Sequence, residues 1–182
     1  KNIAIGHEAA QGVQNGYYNV IIGHDALHDA DGVENHNIAI GAEAMNTVNS
    51  EGFSANVAIG TRAMGSVDSG ENLIRAIGIG HESCRNLEDE ADGTIGIGYQ
   101  ALNAVTSGAN NLAIGALAGD VIATGFQNIA IGADAMSGNV SGESNIAIGY
   151  RAMYDTDAGN DSNNSDHNTF IGLVSGGAQW AD

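Results

Sequence analysis

A nine-residue alternation of apolar and polar positions returns ten times along this chain, each copy centred on a glycine. It is clearest in Asn128-Ile-Ala-Ile-Gly132-Ala-Asp-Ala-Met136 and Asn145-Ile-Ala-Ile-Gly149-Tyr-Arg-Ala-Met153. The anchoring glycines are Gly6, Gly23, Gly41, Gly60, Gly80, Gly98, Gly115, Gly132, Gly149 and Gly172, spaced by 17, 18, 19, 20, 18, 17, 17, 17 and 23 residues. A constant core therefore alternates with a linker of variable length, the signature of a repeat architecture.

Comparing the copies shows which positions are constrained. The residue before the anchor is Ile in all ten, and the residue three before it is Ile, Val or Leu in nine, Thr169 being the exception. Between them stands Ala or Gly in eight copies, with Ile21 and Phe170 departing. Bulky, tiny, bulky is a period-2 pattern and predicts a short strand ending at the glycine. Helix is the competing reading, because Ala and Met are good helix formers. The short apolar run, its fixed central glycine and the β-branched residues in register favour strand. Three after the anchor every copy has Ala or Ser, so the chain stays apolar past the bend. Four before it Asn occurs eight times, from Asn2 to Asn168, where it can serve a turn or stack with its copy in the next coil. The linkers are rich in Ser, Asn, Asp and Gly and read as loops.

Stacked coils satisfy this pattern, since each unit can hydrogen-bond to the next. The expected fold is all-β: a parallel β-solenoid of about ten coils of 17–23 residues. At roughly 4.8 Å per coil the rod would be on the order of 50 Å long. A hexapeptide β-helix fits less well, because only one arc of each coil is strongly apolar. The Ile columns are expected to fill the protomer's own interior. The Ala and Gly stripe is expected to meet sister chains, since small residues occur where backbones approach closely. A parallel homotrimer follows from that assignment. Solenoid repeats should occupy residues 1–176, with 177–182, around Trp180, forming a cap or a junction to a further domain. The array opens in mid-motif at Lys1, and is read as a piece of a longer protein.

Composition narrows the partners. With 22 acidic residues against 5 basic ones, a formal charge of -17, the chain lacks the basic stripe that nucleic acid requires. The same imbalance disfavours anionic membranes, and no run of 18 apolar residues exists to insert into one. A single cysteine, Cys84, excludes an internal disulfide framework and a cysteine-ligated zinc site. Cys84 stands in the column held elsewhere by Met, Leu or Ala and reads as a core residue rather than a nucleophile.

The repeated NIAIGxxAM core with its second glycine resembles the head repeat of trimeric autotransporter adhesins of the YadA type. It resembles more closely the NTAIGxxAL-type arrays of bacteriophage tail-fibre and other virion fibre proteins. The resemblance covers residues 1 to 176 and implies a left-handed parallel β-roll in a homotrimer, intertwined or side by side. Adhesin head repeats are shorter than the 17–23 residues here, which favours the fibre arrays. The last copy, NTFIGLVSGG, replaces the small residue by Phe170.

Candidate chemistry is sparse. Three anchors are followed by His and then acid, in His7-Glu8, His24-Asp25 and His81-Glu82. The first two pairs should be neighbours and could hold a metal ion between imidazoles, although a surface ladder without ligand is the plainer account. Glu8, Asp25 and Glu43 would form a like-charge stack, interrupted by Arg62 and Arg151, with Asp134 placed to pair with Arg151. In the acidic loop after His28, which also holds Glu34, Asp29 and Asp31 of Asp-Ala-Asp-Gly have the oxygen spacing of the start of a calcium loop, without the bidentate Glu that completes one, so Asp29, Asp31 and Glu34 are the candidate ligands. Calcium is the one cofactor this suggests. No hydrolase, metalloprotease or nucleotide-binding motif occurs, so no enzyme is expected. The expectation is an extracellular or virion-surface segment of a trimeric fibre that holds or presents a host-binding surface. The alternative is an autotransporter adhesin head. A cell-surface glycan or protein receptor would be met by the loops Ser66 to Arg75 and Asp155 to Asn168, with threefold display supplying avidity.

Overall fold

The computed structural model describes residues 1–30, 32–49, 52–68, 73–88, 90–154 and 165–176. Each repeat forms a three-residue strand followed by a tight turn. The strands are β1 (Ile3–Ile5), β2 (Val20–Ile22), β3 (Asp29–Ala30), β4 (Ile38–Ile40), β5 (Thr47–Asn49), β6 (Val57–Ile59), β7 (Ser66–Asp68), β8 (Ile77–Ile79), β9 (Ile95–Ile97), β10 (Leu112–Ile114), β11 (Ile129–Ile131), β12 (Ile146–Ile148) and β13 (Thr169–Ile171). The ten repeat strands make one parallel sheet in the order β1-β2-β4-β6-β8-β9-β10-β11-β12-β13. The register is the same at every step, with Ile3 opposite Val20, Ala113 opposite Ala130 and Ile148 opposite Ile171. On three return segments β3, β5 and β7 pair as a second parallel sheet. The fold is an all-β parallel solenoid, with no helix among the described residues. The proposed cap at 177–182 lies outside the described residues.

The anchoring glycine sets the stacking distance. All ten anchors have φ between +128° and +147°, where L side chains are rarely found. A Cβ on Gly115 would lie 2.6 Å from both the carbonyl carbon and oxygen of Gly132, and the same collision with the next anchor recurs from Gly6 to Gly149. From Gly23 to Gly172 each anchor N–H also donates back to the Ile carbonyl of the preceding coil, as in Gly98 to Ile79 and Gly132 to Ile114, both 2.8 Å. Beyond the glycine the turn places non-glycine residues in left-handed geometry two and four positions on, such as Asp25 (φ 52°) and Leu27 (φ 46°). Each such residue costs about 1–2 kcal/mol in isolation. Stacking offsets this, because Asp25 N–H donates to His7 O of the coil before and Leu27 N–H to Ala44 O of the coil after. Neither bond exists in a lone coil.

The asparagine column is a buried ladder, as its recurrence suggested. Asn37 Oδ1 accepts the backbone N–H of Asn56 at 2.9 Å, while Asn37 Nδ2 donates to Phe53 O at 2.9 Å. The same pair of bonds recurs at Asn111, whose Oδ1 accepts from Asn128 N–H and whose Nδ2 donates to Gly125 O. Each Asn thus closes two backbone groups that a narrow coil cannot pair internally.

The two faces of the strands are the reverse of the expected assignment. The middle residues Ala39, Ala58, Ala113, Ala130 and Ala147 are fully buried within the single chain. They pack with the turn residues Ala44, Ala63, Ala101 and Ala135 and the larger Leu27, Met45, Met64, Leu102, Met136 and Met153. The Ile columns point outward: Ile5 is 59% exposed and Ile171 66%, while Ile40, Ile79 and Ile131 are half-buried. A three-residue strand can send only its middle side chain into the coil, and there it meets the chain's own turn. A Cβ on Gly78 would come within 3.0 Å of Ser83 O, and one on Gly96 within 2.5 Å of Cys84 Sγ. Small residues do mark a close approach, but the backbone approaching is the protomer's own. The lumen is too narrow for Ile in most coils, although Ile21 is accommodated within it.

Two measurements check this account. Gly115→Ala should cost about 2–4 kcal/mol by forcing adjacent coils apart, seen as a fall in apparent melting temperature on the order of 5–10 °C. Asn37→Ala strands the Asn56 N–H and leaves the Phe53 carbonyl with the Asn35 N–H alone, and should cost about 1–3 kcal/mol. Hydrogen exchange in Asn37→Ala should accelerate first in the coils either side of residue 37.

Candidate functional site

Chemistry-bearing side chains concentrate on the turns just after the anchors. There the left-handed residue two beyond each glycine points out of the coil, so Glu8, Asp25, Glu43, Arg62 and Glu82 fall into one column. Like charges in adjacent coils repel, and most of the column contains its own remedy. Arg62 Nε lies 2.8 Å from Glu43 Oε2 and its Nη1 3.6 Å from Glu82 Oε1. Arg85 and Gln100 complete the surroundings of Glu82, at 3.7 and 2.7 Å. The Gln100 amide and these cations hold the Glu82 carboxyl below its usual range despite its burial. Farther along, Arg151 Nε pairs with Asp134 at 3.2 Å, the pairing expected from the sequence, and its guanidinium lies over Tyr150 and Tyr154.

Glu8 and Asp25 have only histidines for counterions among the described residues. His24 Nδ1 is 3.0 Å from Asp25 Oδ2, and His28 Nε2 is 3.4 Å from Glu8 Oε2. Asp25 Oδ1 is shut off from solvent and has no hydrogen-bond partner among the described residues. Such an atom costs about 1–3 kcal/mol or more when left so. His7 and His24 stack face to face, ring centroids 5.1 Å apart and 11° from parallel. Imidazole lone pairs lie in the ring plane, so stacked rings do not aim them at a point between the faces. The ladder reading is the one this geometry favours for that pair.

Of the residues singled out for calcium, Asp29 and Glu34 are described. Asp29 lies in β3 with its carboxylate 2.8 Å from His28 Nδ1. Glu34 is fully buried, its Oε1 accepting the Gly32 N–H at 2.8 Å. Asp31 lies outside the described residues. Neither Asp29 nor Glu34 belongs to a group of converging ligand atoms among the described residues. The groups that do converge are His7, His24 and Asp25, and Glu8, Asp25 and His28. Sequence reasoning passed over His28 as a ligand because it lies three residues after Asp25, beyond the turn. The signal was present in the His-Asp pair His28-Asp29.

The loops named for receptor recognition are in part structural. Ser66–Asp68 is strand β7 with Val67 fully buried, and Ile74 donates its N–H to Asp92. Most of Asp155 to Asn168 lies outside the described residues. Exposed aromatic side chains stand elsewhere, at Tyr17 and Tyr18, stacked or edge-on with His36. Cys84 is fully buried, and desolvation pushes its thiol up to about 12, as befits a core residue. No helix of the described residues is long and apolar enough to cross a membrane.

The class defined here is that of parallel β-solenoid repeat proteins. Comparison with protein-family models, with curated proteins and with solved structures gave no match.

Because burial raises the Cys84 pKa in the folded chain, the protein holds a proton that the unfolded chain releases above about pH 9. The thiol should therefore resist alkylation at pH 8 and react fully in denaturant. Its contribution to stability should be constant below about pH 9 and decline between there and about pH 12. Rapid labelling of the native protein would contradict the buried placement.

Proposed function

We propose that this chain is a structural and attachment segment of a trimeric fibre, a phage tail fibre or similar virion appendage displayed outside the cell. The observation that carries this reading is the outer face of the ten-stranded sheet. Two columns of Ile, Val and Leu run its length, broken only by Thr169 in the last strand, and none of its ten strands contains a charged residue, in a chain of net charge -17. Isoleucines are exposed in mid-sheet as well as at its ends, Ile59 by 37% and Ile114 by 38%. A continuous apolar face of this kind marks an interaction surface.

Its occupant must present apolar columns at the same spacing of about 4.8 Å along the whole rod. Further copies of the same chain meet that requirement in register. The number three, and the left-handed roll, come from the resemblance to fibre and adhesin repeats. The interface assigned to the alanine stripe passes to the isoleucine columns, and the trimer is proposed on that face. Acidic residues on the turns and loops keep the outside of the assembly charged and separate from other assemblies. Receptor binding by exposed loops, repeated three times, would gain avidity from weak single sites.

Light scattering on the purified chain should give about three times its 18.5 kDa mass. Replacing outward residues in mid-sheet, as in Ile97→Glu with Ile131→Glu, should yield a monomer that keeps its β-type circular dichroism. A monomeric wild type, or a doubly charged variant still trimeric, would remove the interface.

A further inference from the structure

We propose that Glu8, Asp25 and His28 form a binding site for a divalent transition-metal ion of the zinc class, clamping the turn after β1 to the turn after β2. This inference does not rest on the fibre reading. One ligand atom from each of the three residues lies within 4.8 Å of the other two. Tetrahedral zinc, with bonds of about 2.0–2.2 Å, sets its ligand atoms roughly 3.3–3.6 Å apart. The separation of 3.4 Å between His28 Nε2 and Glu8 Oε2 already has that value.

The surroundings prepare the ligands. Asp29 Oδ1 lies 2.8 Å from His28 Nδ1, so its charge favours the tautomer that carries the proton on Nδ1 and leaves Nε2, the nitrogen nearest Glu8, as the acceptor. A carboxylate behind a ligating imidazole is the usual device for fixing its tautomer and orientation. Two acceptors, Nε2 and a carboxylate oxygen, then face one another, and a cation belongs between them. Asp25 contributes a carboxylate oxygen to the group, and its Oδ1 is shut off from solvent without a hydrogen-bond partner among the described residues. Elsewhere in the column Arg62 and Arg151 neutralise the acids, and at Glu8 and Asp25 no lysine or arginine does so among the described residues. Asp25 and His28 are partly sheltered, at 24% and 22% exposure, and Glu8 reaches them from the surface at 42%. Mixed imidazole and carboxylate donors suit zinc and its neighbours better than calcium, which takes oxygen alone. The fourth position would be open to water or to an anionic group of a ligand.

The test is zinc titration by calorimetry into chelator-treated, dialysed protein. One zinc ion per chain is expected. His28→Gln and Glu8→Gln should each weaken binding at least tenfold, while His7→Gln leaves it within about twofold. Calcium at the same concentrations should not compete. Zinc bound equally well by the His28→Gln, Glu8→Gln double variant would show surface adsorption and overturn the site. Loss of binding in His7→Gln with His28→Gln unaffected would move the ion to the stacked pair and equally overturn it. X-ray absorption on the unmodified protein supplies a reading independent of variant folding. A shell of nitrogen and oxygen with one imidazole supports the assignment, and two imidazoles or none refute it.

Discussion

The structure depends on how closely one glycine can sit on the next. At each anchor the backbone turns through a conformation that side chains rarely adopt, and from Gly6 to Gly149 the carbonyl of the following coil occupies the space a Cβ would need. That contact holds adjacent coils in register, and the register makes everything else repeat. Strand pairs, the asparagine ladder and the left-handed turn residues are all satisfied between coils rather than within them. A single unit has almost nothing to fold around. Stability in such a molecule is a property of neighbours, as in other solenoids.

Narrowness is the second constraint. A coil of 17 to 20 residues with a three-residue strand leaves a lumen wide enough for alanine against methionine or leucine, not for two rows of isoleucine. The larger hydrophobic residues are therefore turned outward, onto a face that one chain alone leaves half open. Folding and association are in this way divided between side chains of the same strand. Alanine closes the coil, and isoleucine is left for contact with another surface.

Repetition also stacks charge. Any acid at a turn position faces its counterpart in the next coil, and the column tolerates this where arginine is interleaved. Where histidine takes that place, beside Glu8 and Asp25, the geometry becomes that of a ligand set. The difference between a salt-bridged column and a metal-binding one is then a matter of which cation each coil supplies.

Periodicity was enough to read strand, glycine bend, polar return and parallel stacking, because these follow from which positions recur and at what interval. Ile148 and Ala147 show where it stopped being enough. Alternation reveals that two faces differ, but which one looks inward depends on the width of the coil, and that is set by the turn after Gly149 folding back on its own strand. His28 shows the same limit at the candidate site: its distance from Glu8 is fixed by the stacking of two coils, while along the chain they are 20 residues apart. The sequence by itself determined the unit and its repetition, since those are local preferences written ten times. Only the tertiary structure decided inside from outside and which turns meet, because both arise from coil closure and coil stacking, which no single repeat contains.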